Sequence, residues 1–151
     1  MSESEIRQVK MSEVVQIGFV VRDVEKVAEA WSSMFGLGPW NFRDIDGTID
    51  RGRFQGVYHK EKLAMASLGS LSLELVQPIE GKAVHAEFLE TVGEGLQHIQ
   101  VRVDDVDTEV NKLLEQGAEI LLSRPGRVAY IGNLPGGLVL ELVTNRPIEN
   151  K

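Results

Sequence analysis

The stretch GLQHIQVRVDDVDTEV, residues 95–110, repeats the design of QIGFVVRDVEKV, residues 16–27. From His98 and from Gln16 the chain continues with Ile, alternates apolar positions as strands do, and reaches Asp-Val and an amphipathic run. The offset, 98 − 16 = 82 residues, also places Asp105 on Asp23. Both Asp residues are suitable helix N-caps, because a carboxylate accepts hydrogen bonds from the free amides of the first turn. A strand followed by a helix is therefore predicted twice.

The ends of the two segments match as well, since GSLSLELVQP (69–78) parallels GGLVLELVTN (136–145) and sets Glu74 opposite Glu141. The first helix should end at the Gly36/Gly38/Pro39 cluster and the second at Gly117, and runs rich in β-formers follow each helix. The order strand, helix and about three strands predicts an α+β fold of two tandem βαβββ modules forming an open, partly closed sheet. The predicted divisions are module one at 14–78, a helical connector at 79–94 and module two at 95–145, all within a single domain of residues 1–151.

Composition excludes several classes of function. The net charge of −7 argues against a nucleic-acid partner, since phosphate binding requires a basic face. The chain has no cysteine, which excludes disulfides, thiolate zinc sites and cysteine nucleophiles. The first 13 residues are polar and no segment is as long and apolar as a membrane span. We expect a cytoplasmic protein without a membrane partner.

The repeat brings four side chains into equivalent places: Gln16 and His98 head the first strands, and Glu74 and Glu141 lie in the last strands. Both Glu residues are within apolar runs, and a buried carboxylate costs several kcal/mol unless it is paired, protonated or bound to a cation. Period-2 alternation could instead point both carboxylates to solvent, and His98 could be a hydrogen-bonded core histidine. These alternatives remain open at the level of sequence.

Other polar and aromatic residues are less informative. His59 and His85 lie on a polar strand segment and on the connector, where we expect them to be exposed. Two groups of arginines that are close in sequence are interpreted first as solvated loop residues and second as ligand contacts; they are Arg43, Arg51 and Arg53, and Arg124 and Arg127. The aromatic residues that could line a pocket are Trp40, Phe42, Tyr58 and Tyr130.

The sequence resembles the vicinal-oxygen-chelate superfamily, which includes glyoxalase I, methylmalonyl-CoA epimerase, extradiol dioxygenases and bleomycin-resistance proteins. The resemblance covers residues 14–145 and is greatest to the epimerase, in LELVQP, EFLE, GEGLQHI, RVDDVD and GGLVLEL. It implies a glyoxalase-like sheet around a metal site.

Carried over by position, the superfamily's metal ligands fall on Gln16, Glu74, His98 and Glu141. One imidazole, one amide oxygen and two carboxylates suit a divalent ion, with zinc as the first choice and Co, Ni or Mn as alternatives. The epimerases usually have His where this chain has Gln16, and the set is closer to one form of glyoxalase I. Glyoxalase I in turn has Arg where this chain has Val20 and Asn where it has Pro78. Glutathione is therefore the less favoured substrate.

The function that the resemblance implies is a divalent-metal-dependent epimerase or isomerase that abstracts a proton next to a carbonyl, on an acyl-CoA or similar small molecule. Glu141 is the first choice for the base and Glu74 the second. The alternatives are a glyoxalase I-like lyase on a thiol adduct and a metal-free protein that binds a small molecule. An extradiol dioxygenase is disfavoured because its iron requires two His. Exposed sheet edges also predict a homodimer.

Overall fold

The computed structural model describes residues 2–11 and 13–144. Its helices are α1 (Glu3–Arg7), α2 (Val24–Phe35), α3 (Val84–Thr91) and α4 (Val106–Leu114), with a 3₁₀ turn at Pro135–Gly137. Its strands are β1 (Val14–Val20), β2 (Asn41–Thr48), β3 (Tyr58–Leu68), β4 (Leu71–Glu80), β5 (Gly95–Val103), β6 (Glu119–Arg124), β7 (Val128–Gly132) and β8 (Leu140–Thr144). The predicted α+β class is confirmed.

The strands form one eight-stranded sheet in the order β2-β3-β4-β1-β5-β8-β7-β6. The first strands of the two repeats, β1 and β5, lie antiparallel at its centre, and each has the last strand of its own repeat parallel on its outer side. The sheet curls into a half-barrel. The loop after β2 bonds across to β6 at the far edge, with Arg53 N–H donating to the Ile120 carbonyl and Phe54 N–H to that of Leu121.

The strand register reproduces the repeat residue by residue. Gly18 is opposite His98, and Gln16 is opposite Gln100. With the repeat offset of 82 residues, Gln16 corresponds to His98 and Gly18 to Gln100, so each pair is the repeat equivalent of the other. Glu74 lies beside Gly18 in the parallel pairing, and Glu141 lies beside Gln100 in the equivalent pairing of the second repeat. The approximate two-fold axis between β1 and β5 therefore brings the four predicted side chains to the middle of one sheet.

The helices begin where the sequence predicts. The Asp23 carboxylate accepts from the Lys26 amide, and the Asp105 carboxylate accepts from the Thr108 amide. Helix α2 ends at Gly36, whose left-handed backbone suits glycine. Apolar residues of α2 and α4 pack on the sheet in separate core clusters, so the opposite face of the curled sheet is left for the site.

Some elements differ from the sequence prediction. No strand was specified at β2, which is polar because it is an edge strand with mostly exposed residues. Helix α1 was not predicted, and β4 runs two residues beyond Pro78 to Glu80. The predicted end of module two, Asn145, lies outside the described residues. In the described part of the chain, no helix is long and apolar enough to cross a membrane.

Candidate metal centre

The four predicted ligands meet at one ring nitrogen. His98 Nε2 lies 3.2 Å from Gln16 Oε1, 3.2 Å from Glu141 Oε1 and 3.5 Å from Glu74 Oε1. The Glu74 and Glu141 side chains are only 12% and 10% exposed, so neither points freely into solvent. The structure therefore brings together every residue of the predicted set.

The backbone around His98 is shaped for its ring. Between the pairs Gly18–His98 and Phe19–Leu96 the register shifts, which leaves Gln97 as the extra residue of a β-bulge. The bulge allows the Gln97 and His98 side chains to meet, and His98 Nδ1 is 2.6 Å from Gln97 Oε1. On the opposite strand, any Cβ at residue 18 would overlap the imidazole, so only Gly18 leaves room for it.

These contacts define the protonation of the imidazole. The amide oxygen of Gln97 only accepts, so Nδ1 carries the ring proton and donates it there. In the neutral ring, Nε2 then presents a lone pair toward three further acceptors, the oxygens of Gln16, Glu74 and Glu141. Four acceptor atoms facing one another repel unless a cation or an added proton lies between them. A hydrogen bond from the second ring nitrogen is also the usual support of a metal-binding histidine.

The electrostatics of the two carboxylates agree with this interpretation. Burial raises the pKa of Glu74 to about 8, and the negative charge of Glu141 adds to the rise, while His98 opposes it. Burial also raises the pKa of Tyr130 well above its usual value, and the charges of Glu141 and Glu74 add to this. The Tyr130 hydroxyl thus stays protonated beside the Glu141 carboxylate. In the metal-free protein a proton on Glu74 relieves the repulsion, and a divalent ion would do so more fully.

The spacing of the donors fits a small divalent ion. For metal–ligand bonds of ~2.1 Å, neighbouring ligands are ~3.0 Å apart in an octahedron and ~3.4 Å apart in a tetrahedron, close to the 3.2–3.5 Å separations around Nε2. Within residues 2–11 and 13–144, however, no three His, Asp or Glu side chains are arranged to hold a metal ion as they stand. Gln16 adds an amide oxygen to the two carboxylates and the imidazole, and all three oxygens lie against Nε2. Side-chain rotations that move the carboxylates away from Nε2 would make room for an ion.

Two polar residues of the cluster were missed at the level of sequence, Gln97 and Gln100. The Gln100 amide nitrogen donates to Glu141 Oε1 at 3.0 Å and lies 3.3 Å from Gln16 Oε1. Its signal was present, because Gln100 is two residues after His98 and period-2 alternation places the two on one face. Gln100 holds two of the predicted ligands in place.

A second polar cluster lies beside the first, and here the sequence expectation was wrong. His85 is only 4% exposed, and its Nδ1 lies 2.6 Å from Glu61 Oε2. Glu61 is buried too, and its other oxygen is 3.4 Å from His59 Nδ1. Burial alone would raise the pKa of Glu61, but its interactions with His85 and His59 outweigh this effect and lower the pKa to about 2. His85 was expected to be exposed because the connector was interpreted without its packing against the sheet.

A cavity of about 550 Å³ lies inside the curled sheet, bordered by all three residues of the second cluster and, from the first cluster, by Glu141. Its inner wall includes Glu141, Tyr130, Glu61, His85 and His59, while β2 and the end of β6 form its rim. Of the aromatic candidates, Tyr130 alone lines it among the described residues; Trp40 packs near Trp31, and Phe42 and Tyr58 are exposed.

Of the arginine candidates, too, some line the cavity and others lie elsewhere. Arg43 and Arg124 border the cavity, whereas Arg53 is held by Glu87 and Glu119 at the surface. The first two are therefore the arginines in a position to meet a ligand in this cavity, and the interpretation of Arg53 as a surface residue agrees with its ion pairs.

The family follows from the comparison with known sequences. The model of the glyoxalase/bleomycin resistance protein/dioxygenase superfamily matches residues 15–132, which include both first strands and both main helices. The chain belongs to this superfamily. No curated protein matches the sequence.

Solved structures share the fold at low sequence identity. A variant of the Streptomyces coelicolor methylmalonyl-CoA epimerase in complex with 2-nitronate-propionyl-CoA is 22% identical, with a TM-score of 0.66 over 94% of this chain and 100% of its own. The Mycobacterium tuberculosis methylmalonyl-CoA epimerase is 22% identical, with a TM-score of 0.59 over 93% and 95%. A hypothetical protein of Bacillus halodurans is 20% identical, with a TM-score of 0.64 over 92% and 98%. At these identities the likeness establishes the fold.

Proposed function

We propose that this protein is a divalent-metal-dependent epimerase or isomerase that abstracts a proton next to a carbonyl group. The observation that carries the proposal is the convergence of oxygens from Gln16, Glu74 and Glu141 on His98 Nε2, with Glu141 also lining the cavity. A divalent ion held there would polarise a bound carbonyl and acidify the neighbouring C–H bond. Zinc is the first candidate for the ion, with Co, Ni and Mn as alternatives.

Glu141 is the favoured base. It borders the cavity, whereas Glu74 is not among the residues that line it. Gln100 donates a hydrogen bond to Glu141 Oε1, which orients the carboxylate beside the cavity. Glu74, which does not line the cavity, would serve chiefly to hold the ion.

The proposed substrate is an acyl-CoA or a similar small carbonyl compound. A cavity of about 550 Å³ is within the ~300–1,000 Å³ of ordinary ligand pockets. Arg43 and Arg124 at its border could meet the phosphates of a CoA ester. Epimerases of the same fold have been solved with methylmalonyl-CoA and with 2-nitronate-propionyl-CoA. The lyase acting on a thiol adduct and the metal-free binding protein remain the competing proposals.

The experiment that tests the proposal measures metal content and proton exchange together. The purified protein is loaded with Zn, Co, Ni or Mn and incubated in deuterated water with a panel of 2-substituted acyl-CoA esters and thiol hemithioacetals. Exchange at the α-carbon of an ester supports the epimerase, and exchange with hemithioacetals alone supports the lyase. Less than about 0.2 metal per chain, with no activity restored by added ions, supports the metal-free binder.

Glu141→Gln provides the matched variant for the base. The amide keeps an oxygen for the ion but cannot accept the proton, so metal content should persist while exchange falls on the order of 10²-fold or more. Exchange that survives at the wild-type rate would remove Glu141 from the role of base.

We also propose that the chain forms a homodimer. Large apolar side chains are exposed at the end of α2 and near the start of β5, at Met34, Phe35, Val92 and Leu96, and burying such residues favours association. Light scattering at micromolar concentration should give twice the chain mass of 16.7 kDa. A single-chain mass would contradict the proposal.

A further inference from the structure

The second polar cluster contains a buried atom that the proposed chemistry does not use. His85 Nε2 is fully buried and has no hydrogen-bond partner. Leaving such an atom unsatisfied is unfavourable, and native structures keep few of them without a function. Nε2 itself is shielded from solvent, but its residue borders the cavity, so a molecule bound in the cavity would reach Nε2 once the side chains around it move.

The other side of the ring is firmly held. Nδ1 donates to Glu61 Oε2 at 2.6 Å, a short charge-assisted bond. Tyr130 packs edge-to-face on the His85 ring at 5.4 Å between centroids. With one nitrogen bonded and one face packed, the ring has a single orientation, and Nε2 is the atom left for a ligand.

The position of His85 relates it directly to the candidate metal centre. The His85 and His98 rings are 6.1 Å apart between centroids, and Tyr130 contacts both. A small molecule spans that distance with roughly four covalent bonds of ~1.5 Å each. A compound whose carbonyl lies at the metal centre beside Glu141 can therefore place a second group against His85.

We propose that His85 binds the substrate directly, accepting or donating one hydrogen bond through Nε2 to an oxygen substituent near the reacting carbon, and that Glu61 is the residue that positions it. This inference rests on the proposed function, and it narrows the substrate class to carbonyl compounds that have a second oxygen-bearing group. Simple acyl esters without such a group leave Nε2 unsatisfied and should bind less well.

The test compares thioesters that differ in one substituent. Propionyl-CoA has hydrogen at the α-carbon, lactoyl-CoA has a hydroxyl and methylmalonyl-CoA has a carboxylate there. Calorimetry with the zinc-loaded full chain should show wild-type preference for at least one of the oxygen-bearing esters over propionyl-CoA. In His85→Phe, which keeps a ring but has no polar atom, the preference should fall about tenfold, the worth of one good hydrogen bond. Propionyl-CoA affinity and zinc affinity should stay within about twofold.

Removing His85 leaves the Glu61 carboxylate buried without its partner, which could prevent folding. The double variant Glu61→Gln with His85→Phe avoids the buried charge, and His85→Gln retains an amide that can still donate to Glu61. Tyr58→Phe is the matched control, because it also removes one polar atom from a ring, at an exposed residue that does not line the cavity. Its ester preference should remain that of the wild type.

Two failures are distinguishable. If the wild type binds the esters with a preference that a folded, zinc-loaded His85 variant retains, or if Tyr58→Phe abolishes the preference as well, the role of His85 is overturned and the proposed function stands. If the wild type binds none of the esters, the acyl-CoA substrate is wrong and the inference is overturned with it.

Discussion

Replacing Gly18 by alanine should disrupt the candidate metal centre through a single methyl group. The added Cβ would meet three atoms of the His98 imidazole, and even the most distant of them, Nδ1, would be only 2.5 Å away. The ring cannot yield easily, because His98 is fully buried and Gln97 holds its Nδ1. Either the ring leaves its position or the central strands β1 and β5 move apart.

The expected loss of stability follows from this overlap. Overpacking of a buried site costs typically ~1–3 kcal/mol, which for a chain of this length lowers the melting temperature by roughly 3–10 °C. Because His98 is displaced, zinc affinity should fall at the same time. Circular dichroism during heating gives the first quantity, and calorimetric titration of zinc into the metal-free protein gives the second.

Gly47→Ala is the matched control. Gly47 is also a strand glycine, its φ is not positive, and a Cβ added to it meets nothing within 4 Å. The substitution should leave stability unchanged or raise it by ~0.5–1 kcal/mol, since alanine loses less conformational freedom. A Gly18→Ala protein with the melting temperature and zinc affinity of the control would refute the account of the site given above.

Two further predictions concern the neighbours of the two histidines. Gln97→Leu removes the acceptor of the His98 Nδ1 proton, so zinc affinity should weaken by about 10–100-fold in calorimetric titration, and an unchanged affinity would show that Gln97 does not support the ligand. The pKa of Glu61 is lowered from 4.5 to about 2, so its contribution to stability is complete above pH 4.5 and is lost as the pH falls through 2. That contribution is on the order of 3 kcal/mol. Urea unfolding at pH 7 and pH 3 should show that the free energy of unfolding depends less on pH in Glu61→Gln than in the wild type. An equal pH dependence in the two proteins would show that other groups cause the acid sensitivity.

The internal repeat could be predicted from sequence because its signals are local. Alternation in β1 and β5, an aspartate cap at Asp23 and Asp105, and a glycine after α2 each depend on neighbouring residues. The equivalence of Glu74 and Glu141 also followed from the repeat, and the register agrees with it. Strand β2 was not predicted, because an exposed edge strand does not need the alternation of apolar residues by which a strand is recognised.

Only the tertiary structure decided which polar groups meet. Gln97 reaches His98 because a bulge interrupts the pairing with β1, and pairing between strands distant in sequence leaves no local signal. Glu61 and His85 are 24 residues apart, and their contact depends on how α3 packs against the sheet. The sequence by itself indicated the two modules and the four side chains that converge. The reason is that two segments with the same pattern form the same elements, so equivalent residues occupy equivalent positions in the sheet. The protonation of His98, the burial of His85 and the cavity between them arise from long-range packing, which sets the distances and the solvent exposure on which their chemistry depends.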